Sequence, residues 1–228
     1  MKLKIPYINI GKKTKFAKGI STIINLANQW SQATRPKSVG QLSIIFPSWL
    51  CLYLNQNPKA SPLEIGTAWK SYYCSNNITI KSGKNIVTKK GSDVIRESQD
   101  KCWQKIKNLG YDTIRQGTKE QLSQENSNAF VEELILYQTP EGFLVQYAIV
   151  NEIARKLNTK NFRFGNPKEE KNGQDAFIND IPLSIKPESY KIQHHPENIE
   201  ANIIYYEKKK GFIEFNISND VLDKIGGK

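Results

Sequence analysis

The segment from Gly173 to Lys186 contains side chains that together could hydrolyse a phosphodiester. A carboxylate (Asp175), a hydroxyl (Ser184) and an ammonium group (Lys186) lie in two short β-prone runs, and Asn179-Asp180 between them is a plausible two-residue turn. Because side chains alternate across a strand, Ser184 and Lys186 share one face, and a hairpin brings Asp175 close to them. Carboxylates can hold a divalent metal ion while a cation steadies the attacking water or the transition state. The segment therefore predicts metal-assisted phosphodiester cleavage, with Mg²⁺ as the natural ion because it takes oxygen ligands.

The elements that must position this segment indicate an α+β fold. Helical spacing dominates the first half, where Pro47 interrupts an apolar stretch from Val39 to Leu54 and a capping box at Ser61-Pro62-Leu63-Glu64 opens a helix to about Cys74. The segment from Lys81 to Lys90 is expected to be a loop or a hairpin. Short strands bounded by turn residues follow the last long helix, at 162–164, 175–178, 181–185, 199–206 and 212–217. We predict a mainly helical lobe (1–127) and a lobe with a small sheet and helices (128–228), or one continuous domain.

Charge is distributed unevenly along the 228 residues. Residues 1–90 contain 14 Lys and Arg and a single acid, Glu64, whereas the remaining residues contain 19 basic and 21 acidic side chains. A basic surface attracts polyanions and releases their counterions on binding. This asymmetry predicts a nucleic-acid-binding N-terminal lobe, and the alternative is that the lysines only form a solvated face.

Composition argues against membrane and secreted classes of protein. No run approaches the roughly 18 apolar residues that span a bilayer, and the N-terminus lacks the apolar core of a signal peptide. Cys51, Cys74 and Cys102 are scattered, odd in number and without metal-ligand spacing. They are typical of reduced packing residues, so we expect a cytoplasmic protein with no membrane partner.

The hairpin resembles the PD-(D/E)XK nuclease fold, in which an Asp begins one strand and an acid-X-Lys triplet lies on its partner. The resemblance covers roughly Glu152 to Ile217, with Gln174 in place of the motif's proline and Ser184 in place of its acid. The hairpin is similar to the branch of the family that has a Ser-X-Lys triplet. What this implies is a restriction-endonuclease-like mixed β-sheet flanked by helices, with residues 128–228 as the catalytic lobe.

The Ser-X-Lys branch supplies its missing carboxylate from further along the chain. The implied residue is Glu200, which follows Lys186 by fourteen positions, and Glu188 and Glu197 are alternatives. The branch also implies an accessory acid on a preceding helix, which corresponds to Glu152.

These resemblances assign a role to each candidate. Asp175 and Glu200 would hold the metal, Lys186 would orient the water or stabilise the transition state, and Ser184 would lie near the site. His194-His195 is a weaker candidate, because adjacent side chains point to opposite sides of the chain.

A second resemblance lies in the N-terminal lobe. The run Thr34-Arg35-Pro36-Lys37-Ser38-Val39-Gly40-Gln41 is similar to a signature of MjaI-type restriction endonucleases. It implies a type II enzyme that cuts double-stranded DNA at a short palindrome, CTAG in the family's namesake. Because a two-fold symmetric DNA site is naturally bound by a two-fold symmetric protein, we expect a homodimer. Arg35 and Lys37 flank a rigid proline, which suits them to a phosphate or a guanine edge.

The candidate DNA-binding residues follow from this signature and from the charge: Arg35, Lys37, Gln41, Lys12 and Lys13. The alternative for Arg35 is an ion pair with an acid of the second half. Two other functions stay open from the sequence, a non-catalytic nucleic-acid-binding protein and a structure-selective nuclease such as a junction resolvase.

Overall fold

The computed structural model describes residues 1–11, 37–82, 85–108, 123–192 and 199–226. The described residues form both helices and strands, and the strands include a mixed six-stranded sheet, which confirms the predicted α+β class. The chain divides into two compact units, one made of Met1–Ile8 with Gly142–Lys228 and the other of Asn9–Glu141. The division into lobes at residue 127 remains a prediction.

The first described elements in chain order are β1 (Lys2–Pro6), α1 (Lys37–Gln56), α2 (Pro62–Ser75), β2 (Asn77–Ser82), β3 (Asn85–Lys90), α3 (Gly91–Asn108) and α4 (Gln124–Glu133). A π-helical turn (Leu134–Gln138) joins α4 to α5 (Thr139–Lys156). The remaining elements are β4 (Phe162–Phe164), α6 (Pro167–Lys171), β5 (Ala176–Ile178), β6 (Ile181–Pro187), a 3₁₀ turn (Glu188–Ile192), β7 (Asn202–Lys208), β8 (Phe212–Asn216) and α7 (Asn219–Gly226).

Helix α1 runs through Pro47, although the sequence predicted an interruption there. A proline removes one hydrogen bond from a helix interior, so the helix must be stabilised by its packing. Leu42, Phe46 and Leu50 recur every four residues and are all buried, so they provide this packing. Phe46 meets Trp69 of α2 edge-on, with ring centroids 4.9 Å apart, in the core of the unit Asn9–Glu141.

Helix α2 begins as the sequence predicts. Ser61 is the N-cap, its N–H donates to Glu64 Oε2 at 2.7 Å, and the Glu64 N–H donates to Ser61 Oγ at 3.4 Å. Pro62 occupies the first turn, where no N–H is needed. The helix ends at Ser75, and the chain passes directly into the β2–β3 hairpin.

The six strands of the sheet lie in the order β1-β8-β7-β6-β5-β4. Strands β6 and β7 are parallel, and the other neighbouring pairs are antiparallel. Asn179 (φ 48°) and Asp180 (φ 64°) join β5 to β6 with two successive positive φ angles, as expected for the predicted tight hairpin turn. The centre of the sheet is apolar, with Ile178, Leu183, Ile185 and Ile204 all buried.

Strand β1 was not anticipated from the sequence. It pairs with β8, placing Leu3 opposite Phe215, and Leu3 is buried. On the other face, Lys2 Nζ lies 2.8 Å from Glu214 Oε2 and Lys4 Nζ lies 3.9 Å from Glu214 Oε1. Two of the cations counted in residues 1–90 therefore belong to the unit that contains the sheet. In the described parts of the chain, every helix is too short or too polar to cross a membrane.

Candidate active site

The main chain at Asp175 is held on both sides by neighbouring strands. Its N–H donates to the Leu183 carbonyl at 2.9 Å, and its carbonyl accepts from the Gly165 N–H at 3.0 Å. Gly165 allows this approach, because a Cβ there would lie 2.1 Å from the Gln174 carbonyl oxygen. The start of β5 is thus fixed in register against both β4 and β6.

The carboxylate of Asp175 is the centre of a small polar cluster. Its Oδ2 accepts the Ile185 N–H at 2.7 Å and the Ser184 hydroxyl at 3.4 Å. Lys186 Nζ lies 3.2 Å from Oδ2 and 3.4 Å from Oδ1. The hairpin therefore brings together Asp175, Ser184 and Lys186 as its geometry predicted, while their catalytic roles remain predictions.

The cluster is more buried than the sequence suggested. The Asp175 side chain is 9% exposed and that of Lys186 17%. Ser184 is fully buried, as is Leu183 on the opposite face, so both faces of β6 are covered there. The apolar pair Leu183 and Ile185 is buried as expected, but the face of Ser184 is not open to solvent.

Burial also controls the electrostatics of Asp175. Loss of hydration raises the pKa of this carboxyl group, while the Lys186 ammonium and the hydrogen bonds from Ile185 and Ser184 pull the pKa down. The net direction is upward, so Lys186 alone does not offset the cost of burying the charged carboxylate. A second cation against this carboxylate would lower that cost, which fits an oxygen ligand for a divalent metal ion.

The main chain of Glu200 lies beside the residues that precede Asp175. Its N–H donates to the Asn172 carbonyl at 3.1 Å, and its own carbonyl accepts from Gln174 Nε2 at 3.1 Å. The side chain of Gln174, the residue that corresponds to proline in the predicted resemblance to the nuclease motif, makes this link. Glu200 itself is exposed at the entry to β7. Its role as a metal ligand remains a prediction.

The other candidate acids are paired with bases on their own elements. The two carboxylate oxygens of Glu152, on α5, accept from Arg155 Nε and from an Arg155 terminal nitrogen, each at 2.8 Å, and these bonds lower the Glu152 pKa. Glu188 Oε2, in the 3₁₀ turn, lies 2.8 Å from Lys191 Nζ. Glu197 and the His194-His195 doublet lie outside the described residues.

The residues that the structure describes do not assemble a complete metal site. Among the described residues, no three His, Cys, Asp or Glu side chains lie close enough to hold an ion together. Asp175 is the carboxylate at the centre of the cluster, and its oxygen chemistry suits a divalent cation. A protein-based site with two acidic ligands would need a second carboxylate beside Asp175.

Two of the five predicted DNA-binding residues lie in the part of the chain that the structure describes. Lys12, Lys13 and Arg35 lie outside the described residues. Lys37 and Gln41 lie in α1, which begins at Lys37. Contacts of all five with DNA remain predictions.

Two contacts at the cluster could not be identified from residue types. The Ile185 N–H is a main-chain donor, and only the register of the hairpin shows that it reaches Asp175. Lys186 Nζ also lies 5.8 Å from the centroid of the Tyr190 ring, within the range of a cation–π contact. Tyr190 belongs to the 3₁₀ turn that follows β6, and no sequence motif marked it.

Comparison with known proteins identifies relatives over most of the chain. The family described as MjaI restriction endonuclease matches residues 21–218. The type II restriction enzyme MjaI of Methanocaldococcus jannaschii is 31% identical over 224 residues, which cover 96% of this chain and 87% of that protein. The type II restriction enzyme MthZI of Methanothermobacter thermautotrophicus is 31% identical over 202 residues, covering 88% and 84%. No solved structure matches.

These similarities confirm the prediction of a type II restriction endonuclease, which is a site-specific deoxyribonuclease with DNA as its substrate. They also favour this function over the non-catalytic binding protein and the junction resolvase. The chain belongs to the MjaI restriction endonuclease family.

Proposed function

We propose that this enzyme is a homodimer that uses Mg²⁺ to hydrolyse both strands of double-stranded DNA at a short palindromic site, with the β5–β6 hairpin as its catalytic centre. The observation that carries the proposal is the buried Asp175 carboxylate, held by the Ile185 N–H at 2.7 Å and by Lys186 Nζ at 3.2 Å. Membership of a restriction endonuclease family is in line with a divalent metal requirement. Mg²⁺ is the ion we propose because the available ligands are oxygens.

Each residue of the hairpin has a distinct task in this proposal. Asp175 would hold the metal ion, and the Ile185 N–H and the Ser184 hydroxyl fix the direction of its carboxylate. Lys186 orients the attacking water or stabilises negative charge on the phosphate as the P–O bond breaks. When bound, Mg²⁺ would polarise the scissile phosphate and make a bound water more acidic.

We propose Glu200 as the second metal ligand. The support is its main-chain contact with Asn172 and the hydrogen bond from Gln174 Nε2, which tie the start of β7 to the segment entering β5. Glu188 and Glu197 are the alternatives. Glu152 is proposed as an accessory acid, and it would have to exchange its pairing with Arg155 for a role at the site.

The proposed homodimer and the proposed palindromic site have the same two-fold symmetry. A two-fold symmetric DNA site is naturally bound by a two-fold symmetric protein, with one catalytic hairpin for each strand. A CTAG-like site is the proposal that the resemblance to the family's namesake supports. The cytoplasm is the proposed location of the enzyme.

Digestion of plasmid DNA tests the proposal. Purified protein with Mg²⁺ should convert a plasmid into discrete fragments, and the sequences of the fragment ends should define one short palindrome. Chelation of the metal should stop the reaction. Cleavage restricted to branched junctions, or retarded but intact plasmid, would contradict the proposed function.

A further inference from the structure

The β2–β3 ribbon presents a polar face to solvent. The antiparallel register places Thr79 opposite Thr88 and Asn77 opposite Lys90, and all four are exposed. The two threonine hydroxyls lie 3.2 Å apart. On the opposite face Ile78 is buried, so the ribbon is anchored through one side only. We call the exposed side, Asn77, Thr79, Thr88 and Lys90, the outer face.

The base of the ribbon is fixed to two helices by main-chain hydrogen bonds. The Asn76 N–H donates to the Tyr72 carbonyl of α2, and the Gly91 N–H at the start of α3 donates to the Asn76 carbonyl, both at 3.0 Å. Gly91 permits this closure, because a Cβ there would lie 1.8 Å from the Tyr73 carbonyl oxygen. A surface held in this way loses little conformational freedom when it binds a ligand.

The ribbon has the charge expected of a surface that binds a polyanion. Residues 77–90 contain four lysines and no acid, namely Lys81, Lys84, Lys89 and Lys90. Lys89 is neutralised by an ion pair with Glu97 of α3. Lys90, on the outer face, is exposed. The outer face therefore carries one exposed cation, Lys90, beside its hydrogen-bonding groups.

We propose that the β2–β3 ribbon enters the major groove of the DNA duplex and that its outer face contacts base edges. This inference rests on the proposed function, because it assigns sequence recognition to residues outside the catalytic hairpin. Two strands of six residues extend about 20 Å and lie about 5 Å apart, and a major groove about 12 Å wide admits such a ribbon.

The chemistry of the outer face matches the groups that bases display in that groove. An Asn amide can both donate to and accept from adenine, a Lys ammonium donates to guanine O6 and N7, and a Thr hydroxyl can do either. Ile86, which is 75% exposed, adds an apolar surface suited to the methyl group of thymine.

A second copy of the chain is the competing occupant of this surface. A groove of about 420 Å³ adjoins the ribbon, and its lining includes Asn77 and Thr79 of the outer face. The other lining residues are Ile44, Ile45, Tyr72, Ile78, Ile80 and Ile86. Two copies of the outer face would bring two Lys90 side chains together, and residues 77–90 contain no acid that could compensate them. The charge therefore favours DNA over a second copy of the chain as the ligand of this surface. The oligomeric state is measured in the test to distinguish the two.

The decisive variant is Thr79→Val with Thr88→Val, which removes both hydroxyls and keeps the β-branched shape of each side chain. The matched control is Thr67→Val, because Thr67 is an exposed threonine of α2 in the same unit. Binding without divalent metal is measured on a duplex containing the site that wild-type enzyme cuts and on a scrambled duplex. The double variant should bind the first duplex about tenfold more weakly and the scrambled duplex almost unchanged.

A second variant tests the outer face at a residue other than the two threonines. Lys90→Gln should lower affinity for the cognate duplex and reduce the penalty for substituting one base pair of the site. Thermal unfolding of each variant should match the wild type, and gel filtration should give an unchanged oligomeric state.

Three results would overturn the inference. They are cognate affinity unchanged in both variants, equal weakening on cognate and scrambled duplexes, and a changed oligomeric state, which would make the ribbon an interface between copies. If wild-type enzyme cuts at a discrete site while the variants bind normally, the ribbon proposal fails and the proposed function stands. If wild-type enzyme makes no discrete fragments, the proposed function fails and the ribbon proposal fails with it.

Discussion

Lys186 Nζ lies 3.2 Å from Asp175 Oδ2 across the β5–β6 hairpin, and both side chains are largely buried. Such a pair depends on both partners, because the loss of one leaves an ion that is neither paired nor hydrated. Asp175 and Lys186 are also the two side chains that we propose for catalysis. Activity and stability are therefore coupled at this pair, and substitutions can separate them.

Replacement of Lys186 by Ala should abolish cleavage and leave specific DNA binding largely intact. Lys186 lies at the proposed chemical centre, whereas the excess of basic residues lies in residues 1–90. Cleavage is measured in single turnover and binding by fluorescence anisotropy. Lys160→Ala, at an exposed lysine of the same unit, serves as the control. A Lys186→Ala enzyme that cuts at nearly the wild-type rate would show that the hairpin is not the catalytic centre.

The stability lost in Lys186→Ala should be partly restored by adding Asp175→Asn. Breaking a buried ion pair from one side costs about 3 kcal/mol, because the remaining carboxylate is left uncompensated. An Asn at position 175 carries no charge and can still accept the Ile185 N–H. Urea unfolding of the wild type, both single variants and the double variant forms a complete cycle. Simple addition of the two single losses would contradict the predicted coupling.

Glu200→Gln should reduce cleavage far more than Glu197→Gln. Removing a metal ligand is expected to cost on the order of 10²-fold in rate and to weaken metal binding. Rates are compared over a range of Mg²⁺ concentrations, so that weaker metal binding is distinguished from slower chemistry. Full activity in Glu200→Gln together with loss in Glu188→Gln would assign the role to Glu188.

Acid should destabilise the protein partly through the Arg163–Glu169 pair. Arg163 donates two hydrogen bonds of 2.8 Å to Glu169, and together with the Asn166 N–H they lower the Glu169 pKa to about 2. A lowered pKa means that this contribution is complete above the ordinary value of 4.5 and is lost as pH falls towards 2. Arg163→Gln should therefore be less stable than wild type at pH 6, and the difference should shrink by pH 2. A difference that is constant with pH would attribute the effect to the stacking of Arg163 on Phe177.

The β5–β6 hairpin was predictable because the information that specifies it is local. Asn179-Asp180 specifies the turn, and the alternation of side chains then places Ser184 and Lys186 together. The burial of Ser184 was not predictable, because it depends on what covers the second face of β6. The position of Glu200 likewise depends on the hydrogen bond from Gln174, which joins residues 26 positions apart.

Strand β1 shows why the pairing of strands far apart in the sequence is hard to predict from the sequence alone. Its five residues alternate Lys and apolar side chains, but their partner β8 lies more than 200 residues away. Lys2 and Lys4 were counted with the basic N-terminal lobe, although they pair with Glu214 in the sheet. Helix α1 shows the opposite effect, because buried side chains on both sides of Pro47 sustain a helix that local propensity would end.

Residues that position the protein on the DNA backbone and residues that recognise bases should respond differently to substitution. If the basic residues before α1 lie along the phosphates, affinity should fall steeply with salt, with a log–log slope of about −0.9 per neutralised phosphate. Lys12→Ala or Lys13→Ala should weaken binding about equally on cognate and random duplexes. Each should also flatten the slope by about one, because one phosphate contact is lost.

Arg35→Ala should behave differently if Arg35 reaches a base edge. It should lose about 1–3 kcal/mol on the cognate duplex and little on random DNA, since a bidentate contact to guanine exists only at the correct base. Each variant is titrated against both duplexes at two salt concentrations. Equal weakening on both duplexes would make Arg35 a phosphate contact or a structural residue. Sequence recognition would then have to come from other side chains, and the outer face of the β2–β3 ribbon would be the next surface to test.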